Sequence, residues 1–223
     1  MKNVCRVFIN LIKDRDYRSF WNILTYRFNS KIIAFGFRQE LGINLIKRQA
    51  LTPITIRKFK KGDEVFFIDS NTTILLDQLE TCYVAINKEE NPCFKCWLIN
   101  SSENLKLKKF WGESFPLLKS EETLLESAFT LPKFRGLGIM PAAITLILEL
   151  TREQGYKEVI TFVPTENINS IRTITYAGFY PYIIRIEKWF FFRKTATFVP
   201  ITEDLLEYFN KITKGIPKQT LKA

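Results

Sequence analysis

The stretch "KFRGLGIM", residues 133–140, places two glycines one residue apart, after two basic residues and before a long apolar run. The preceding "TLLESAFTL" is typical of a strand and is stopped by Pro132, and the following "IMPAAITLILELTREQGY" predicts a buried helix that ends at Gly155. Glycines allow a ligand to approach the backbone, and a helix N-terminus carries a partial positive charge. The stretch therefore predicts an anion-binding loop suited to a pyrophosphate, with a plain turn as the alternative. It is neither a P-loop nor a dinucleotide fingerprint, because it lacks the G-x-x-x-x-G-K-[ST] pattern of the first and the third glycine of the second.

The segments around this loop alternate between strand and helix patterns. From residue 52 the predicted order is strand, helix, two strands, strand, long helix, strand, short helix and two strands. The first helix is predicted over "EVFFIDSNTTILLDQLE", residues 64–80, and the short helix over "ENINSIRTITYAGF", residues 166–179. This order describes a mixed α/β layout with one clear βαβ unit.

The composition is that of a globular protein, with 46% hydrophobic and 25% charged residues. No stretch reaches the roughly 20 apolar residues of a membrane span, and the early apolar run "VFINLI" is too short for a signal peptide. We therefore expect a cytoplasmic protein. The chain has four cysteines and no histidine, so a zinc site at "CFKC", residues 93–96, would require Cys5 and Cys82 to converge on it. We expect no metal.

The net charge of +10 is unevenly distributed, because residues 1–60 contain 13 Lys or Arg and 3 acidic residues. Aromatic residues are interleaved with these cations in "DYRSFWNILTYRFNSKIIAFGFR". This pattern is typical of a helical arm that rests on an anionic surface, such as a membrane, an RNA or a phosphorylated substrate. The alternative is an extra helical segment that packs against the main domain through Phe20, Trp21, Leu24 and Phe28.

Two segments together resemble the signatures of the GCN5-related N-acetyltransferases. "LPKFRGLGI" is similar to the pattern [Q/R]-x-x-G-x-[G/A] at a strand-to-helix junction, with Lys133 in the first position. "NINSIRTITYAGF" is similar to a second signature, about 30 residues further on, through Asn167, Ser170, Gly178 and Phe179. The chain is identified on these motifs as a member of that superfamily.

The resemblance covers about residues 52–200 and implies a mixed α/β fold. In this fold a mostly antiparallel sheet, flanked by helices, splits at its centre. We expect three parts: a basic helical extension over residues 1–50, an acetyltransferase domain over residues 51–200, and a C-terminal helix with a basic tail over residues 201–223.

The resemblance also implies a binding site for acetyl-coenzyme A as co-substrate. The end of the proline-terminated strand would bind the pantetheine arm, backbone amides of the glycine loop would bind the pyrophosphate, and the start of the short helix would lie near the thiol. The alternative for the short helix is that Asn167 and Ser170 form only a cap. The residues implied are Phe129, Thr130, Leu131, Lys133, Phe134, Arg135, Gly136, Leu137, Gly138, Ile139, Met140, Asn167 and Ser170.

Catalysis in this family proceeds by direct attack of a deprotonated amine on the thioester. The tyrosine that protonates the departing thiolate in many members is replaced here by Ile174, and Tyr176 lies about 200° round the helix from that position. Histidine, the commonest general base, is absent. We expect Glu126 to be the base, because it is a charged residue in an apolar strand that leads to the loop. The alternative is that Glu126 faces solvent or pairs with a lysine.

The acceptor is expected to be a small-molecule amine, and the basic extension favours an anionic one. Extended family members that resemble this chain occur in bacterial surface-polysaccharide pathways, where nucleotide-linked amino sugars are acetylated, and this resemblance gives the first hypothesis. A protein or peptide amine is the second. The third is a non-catalytic coenzyme A-binding domain that docks on a membrane or nucleic acid. With the enzyme hypotheses we expect no nucleic-acid partner, peripheral membrane contact through residues 1–50 as an option, and a monomer or homodimer.

Overall fold

The structure is a computed structural model that describes residues 17–42, 45–67, 75–76 and 79–217. Over these residues the strands are β1 (Asn29–Glu40), β2 (Thr55–Lys58), β3 (Cys82–Ile86), β4 (Pro92–Asn100), β5 (Glu122–Thr130), β6 (Glu158–Pro164), β7 (Tyr180–Phe190) and β8 (Arg193–Val199). The helices are α1 (Tyr17–Phe28), α2 (Asn104–Trp111), α3 (Ile139–Glu153), α4 (Ile168–Tyr176) and α5 (Glu203–Ile212). The strands form one sheet in the order β2-β3-β4-β5-β6-β1-β7-β8.

The sheet splits between β5 and β6, the only parallel neighbours among the described strands. These two strands pair only from Glu122 to Leu124, against Glu158 to Ile160. Beyond that point β5 continues to Thr130 along β4, and β6 continues to Pro164 along β1. The mostly antiparallel, centrally split sheet with flanking helices confirms the predicted fold class.

The prediction of a helical extension over residues 1–50 is wrong for β1. This strand lies inside the sheet between β6 and β7, and Phe35 and Phe37 in it are fully buried. Gly36 is required there, because a Cβ would lie 2.5 Å from Ile183 Cγ2 and 2.8 Å from Phe162 Cε1. The main domain therefore includes residues 29–40. Within the described residues only α1 is helical in this region, and residues 1–16 lie outside them.

Helices cover both faces of the sheet. On one face α3 and α5 pack on a core that includes Phe35, Ile144 and Phe209, and the ring centroids of Phe35 and Phe209 are 5.7 Å apart. On the other face α2 and the segment after it pack on Trp97 and Phe162. The helix predicted over residues 64–80 lies mostly outside the described residues. In the described part, Asp63–Phe66 form a 3-10 turn, and Leu75 and Leu76 are helical.

No helix in the described part of the chain is long and apolar enough to cross a membrane. No group of three or more His, Cys, Asp or Glu side chains within the described residues could hold a metal ion, and the thiols of Cys82, Cys93 and Cys96 are free and buried.

Candidate active site

A groove of about 770 Å³ lies where the sheet splits. Its walls are the end of β5, the glycine loop and the starts of α3 and α4. Ten of the residues expected to bind the cofactor line it: Phe129, Thr130, Phe134, Arg135, Gly136, Gly138, Ile139, Met140, Asn167 and Ser170. The local fold thus brings together the two motifs that are about 30 residues apart in sequence.

Three of the expected residues do not line the groove. Leu131 is buried in a cluster with Phe67, and its N–H donates to the Cys93 carbonyl at 3.0 Å. The Lys133 ammonium lies 4.9 Å from the centre of the Phe134 ring. Leu137 packs on the main core. Their side chains therefore support the loop or lie beside it.

The backbone of the glycine loop requires glycine at two positions. Gly136 and Gly138 have φ angles of +79° and +69°, in the left-handed region that glycine adopts without strain. A Cβ at Gly136 would meet nothing within 4 Å, whereas one at Gly138 would lie 3.4 Å from the Gln49 carbonyl oxygen. Gly136 therefore faces open space in the groove, and Gly138 is covered by a neighbouring segment.

The groove suits an anion at this loop. Ile139 and Met140 begin α3, and their N–H groups have no acceptor within the helix, so they are free to bind a negatively charged group. The Arg135 guanidinium lies 5.7 Å from the Phe129 ring centre, and its Nε donates to the Thr130 carbonyl at 3.3 Å. Arg172 of α4 also lines the groove. A pyrophosphate fits this combination of helix N-terminus, open glycine and cations.

The edge of β5 suits the pantetheine arm. Beyond Leu124 this edge is not paired with β6, so its peptide groups face the groove. The Thr130 Oγ1 is buried and makes no hydrogen bond within the described part of the chain. An amide-containing chain such as pantetheine would supply hydrogen-bonding partners for such groups.

The start of α4 has the cap that was the alternative interpretation of its motif. The Asn167 Oδ1 accepts a hydrogen bond from the Ser170 N–H at 3.2 Å. Both residues nevertheless line the groove, so capping and cofactor contact are compatible.

Sequence reasoning missed Asn169, Arg172, Thr173 and Tyr176 as lining residues. Their spacing of three or four along α4 was the signal, because it places them on one face of the helix.

A second cavity, the chamber, has a volume of about 170 Å³ and adjoins the groove. Four residues line both the groove and the chamber: Ala128, Met140, Asn167 and Ser170. A β-bulge forms part of the chamber wall: Lys95 pairs with Phe129 and Trp97 with Glu126, so two residues of β5 lie opposite Cys96. Ser127, in this bulge, has a φ of +51°.

Glu126 lines this chamber, and its environment raises its pKa. Burial is the main cause, and Glu187 adds to it, whereas hydrogen bonding from Ser127 and the positive charge of Arg185 lower the pKa. The Ser127 Oγ lies 3.4 Å from the Glu126 Oε1. The raised pKa means that the carboxyl group stays protonated to a higher pH than an exposed glutamate, whose pKa is about 4.3.

Arg185 belongs to a buried ionic cluster beside Glu126. Its Nε is 3.3 Å from the Glu187 carboxylate, and its Nη1 donates to the Ser114 carbonyl at 3.0 Å. The Lys194 ammonium lies 3.4 Å from the same Glu187 carboxylate. The guanidinium also lies 4.9 Å from the Phe162 ring centre. These contacts hold Arg185 in one place, so its field at Glu126 is constant.

Among the described residues, no tyrosine lines the chamber. Ile174 occupies the position of the expected acid and lines the chamber with an apolar side chain. Tyr176 lines only the outer groove, where the Arg48 guanidinium stacks 3.8 Å from its ring centre. Tyr83 accepts a hydrogen bond from Gln154, and Tyr180 donates one to Glu40 at 3.0 Å. Burial is the main cause that raises the pKa of Tyr180 to about 12.

Solved structures resemble this chain in fold. No protein-family model and no curated protein sequence matches it. A GCN5-related N-acetyltransferase from Sphaerobacter thermophilus has a TM-score of 0.50 at 14% identity, with 77% of this chain and 56% of that chain covered. A GNAT-family acetyltransferase from Colwellia psychrerythraea has a TM-score of 0.52 at 14% identity, with 79% and 61% covered.

A third structure is much longer than this chain. The glucosamine N-acetyltransferase region of a fungal multi-domain β-N-acetylglucosaminidase has a TM-score of 0.53 at 11% identity, with 77% of this chain and 22% of that chain covered. The chain thus spans from about a fifth to three fifths of the length of the three structures. At these identities the likeness is one of fold.

Proposed function

We propose that this chain, which has the fold of the GCN5-related N-acetyltransferases, transfers an acetyl group from acetyl-coenzyme A to a primary amine. The observation that carries the proposal is that the glycine loop and the end of β5 line one groove, which adjoins the chamber that contains Glu126. Acetyl-coenzyme A supplies a thioester whose carbonyl carbon a neutral amine can attack and whose thiolate then departs.

The loop and β5 bind and orient the cofactor in this proposal. The N–H groups of Ile139 and Met140 donate to the pyrophosphate, and Arg135 and Arg172 neutralise its charge. The Thr130 N–H, on the side of β5 that faces away from β4, hydrogen-bonds the pantetheine. These contacts direct the thioester towards the chamber. Holding the thioester and the amine close together there lowers the activation barrier of acetyl transfer.

Glu126 accepts the proton that the acceptor ammonium loses before or during attack. A carboxylate whose pKa is raised by burial is a better base near neutral pH than an exposed one. The departing thiolate does not depend on an acid, because a thiol with a pKa of about 8.5 is a good leaving group. This is consistent with the apolar Ile174 at the position where other members have tyrosine.

For the acceptor we propose a nucleotide-linked amino sugar, as in surface-polysaccharide biosynthesis. The proposal is supported by the positive charge of residues 1–60, which complements a diphosphate. It is in keeping with the glucosamine N-acetyltransferase region whose fold the chain shares. A cytoplasmic location is part of the proposal, and the free thiols of Cys82, Cys93 and Cys96 suit a reducing compartment.

Released thiol, measured with acetyl-coenzyme A and a panel of amines, tests the proposal. The panel contains nucleotide-linked amino sugars, free amino sugars and lysine-containing peptides. Turnover with the first class alone supports the amino-sugar acceptor, and turnover with peptides supports a protein substrate instead. Tight coenzyme A binding by calorimetry without turnover for any amine would indicate a non-catalytic domain.

A further inference from the structure

Three consecutive phenylalanines lie exposed at the tip of the β7–β8 hairpin. Phe190, Phe191 and Phe192 are 63%, 58% and 48% exposed, and Phe28 beside them is 46% exposed. The ring centroids of Phe190 and Phe191 are 4.6 Å apart, and those of Phe28 and Phe191 are 4.7 Å apart. We call these four residues the aromatic knob. A contiguous apolar surface of this kind marks an interaction site.

The turn that carries the knob has a backbone unfavourable for its residues. Phe191 and Phe192 form a two-residue loop with φ angles of +44° and +63°, the conformation of a type I′ turn. Asn-Gly is the favoured pair in this turn, and a bulky residue with positive φ is strained. Their exposure means that core packing does not account for the choice of phenylalanine. The Phe191 and Phe192 N–H groups donate to the Phe28 and Arg27 carbonyls at 3.0 and 2.9 Å, which accounts for the backbone of the turn but not for its exposed phenyl rings. The rings therefore indicate a use outside the fold.

The knob projects beyond the rest of the sheet. Ala34 pairs with Pro164, the last residue of β6, on one side and with Arg185 on the other. The β1–β7 ladder then continues for five more residues, to the pair Asn29 and Phe190. At about 3.3 Å per residue this extension is roughly 16 Å long. The knob therefore lies at the far end of the part of the sheet that extends beyond β6.

Positive charge surrounds the knob. Lys31, Lys188 and Arg193 are exposed, and residues 17–39 and 188–202 contain no Asp or Glu. Lys31 and Lys188 are direct cross-strand partners. Like charges in this arrangement destabilise a sheet unless an anion lies against them. The surface is thus apolar at its tip and cationic around it.

We infer that the aromatic knob and its cations dock on an anionic lipid bilayer, with the phenyl rings at the level of the acyl chains and the cations at the headgroup phosphates. Exposed aromatics flanked by Lys and Arg are the chemistry of interfacial membrane binding. A nucleic acid fits less well. Phe28, Phe190 and Phe191 meet edge to face, so they form a compact knob and not the open ring faces on which bases stack. The inference is independent of the proposed acetyl transfer.

Vesicle co-sedimentation of the full chain tests the inference. The vesicles are phosphatidylcholine alone or phosphatidylcholine mixed with phosphatidylglycerol. Wild type should bind the anionic vesicles and bind the neutral ones weakly. The double variant Phe191→Asn/Phe192→Gly should lose at least about tenfold in affinity, because it removes both rings. Its melting temperature should stay the same or rise, because Asn-Gly suits the turn.

Two further variants separate the apolar and ionic contributions. The variant Lys188→Glu/Arg193→Glu should lose the preference for anionic vesicles. The control variant Leu105→Asn removes an apolar side chain that is 84% exposed on α2, away from the knob, and should bind vesicles like wild type. Unchanged vesicle binding by the folded turn variant would overturn the inference. Failure of the wild type to bind anionic vesicles would also overturn the inference. In that case, binding of single-stranded RNA would indicate a nucleic-acid surface, and conversion of a dimer to a monomer by the turn variant would indicate a dimer interface.

Discussion

Gly136→Asp tests the anion-binding loop most directly. A Cβ at this position meets nothing within 4 Å, so the side chain fits but enters the groove where the pyrophosphate is proposed to lie. At about 5 Å and an effective dielectric constant of 20, two negative charges repel by about 3 kcal/mol. Each 1.4 kcal/mol is a factor of ten, so coenzyme A affinity should fall by about 100-fold.

The strain of the substitution is small by comparison. Gly136 has a φ of +79°, and an Asp in this region costs on the order of 1 kcal/mol. For a chain of this length that corresponds to a fall in melting temperature of about 2–4 °C. The variant should therefore fold, and calorimetry with coenzyme A can be read as binding alone.

Two controls separate charge, volume and strain. Gly136→Asn has nearly the same shape without the charge and should lose much less affinity than Gly136→Asp. Gly155→Asp is strained in the same way, with a φ of +89° and open space at the Cβ, but lies at the other end of α3. It should bind coenzyme A like wild type. Wild-type affinity in folded Gly136→Asp would refute the assignment of this loop to the pyrophosphate.

Three other substitutions test the chamber and the fold. Glu126→Gln should reduce kcat by roughly 10² to 10⁴ and leave coenzyme A affinity unchanged; retention of most of the rate would exclude Glu126 as the base. Arg185→Met should shift the acidic limb of kcat/KM to higher pH, because Arg185 lowers the pKa of Glu126; an unchanged profile would show that the cluster is only structural. Arg57→Met should lower the free energy of unfolding by about 3 kcal/mol, because it leaves the Asp63 carboxylate buried without its ion pair. Burial raises the pKa of Asp63, but hydrogen bonds from Arg57 and Lys60 outweigh it and hold the pKa below 3.8. Wild type should therefore have this stabilisation in full above about pH 4 and lose it as the pH falls through the lowered pKa, which acid titration of the unfolding free energy in both proteins would check.

The glycine loop was predictable because its determinants are local. Positive φ angles, a proline that stops a strand and an apolar run that starts a helix all act within about ten residues. The capping of α4 by Asn167 follows from the same short-range chemistry. These features survive in any tertiary context, so one sequence was enough to identify the groove's main walls.

The strand β1 was not predictable in this way. Its apolar run "IIAFGF" suits a buried helix or a buried strand equally well, since periodicity does not distinguish them. This run forms a strand because it pairs with β6 and β7, whose residues lie more than 100 positions later in the chain. Helix α2 was missed for a related reason: Leu107 is its only buried residue, so its pattern is weak.

The fold class, the glycine loop and the place of Glu126 in the strand that leads to this loop follow from the sequence. The surroundings of Glu126 and the exposure of the aromatic knob depend on how the chain folds. The bulge at Ser127, the Arg185 cluster and the chamber wall come from β4, β5, β6 and β7, which are distant in sequence. The aromatic knob likewise joins Phe28 to Phe191, across more than 160 residues. The pKa of a carboxyl group and the exposure of a surface depend on such long-range contacts, because burial and electric fields act through space and not along the chain.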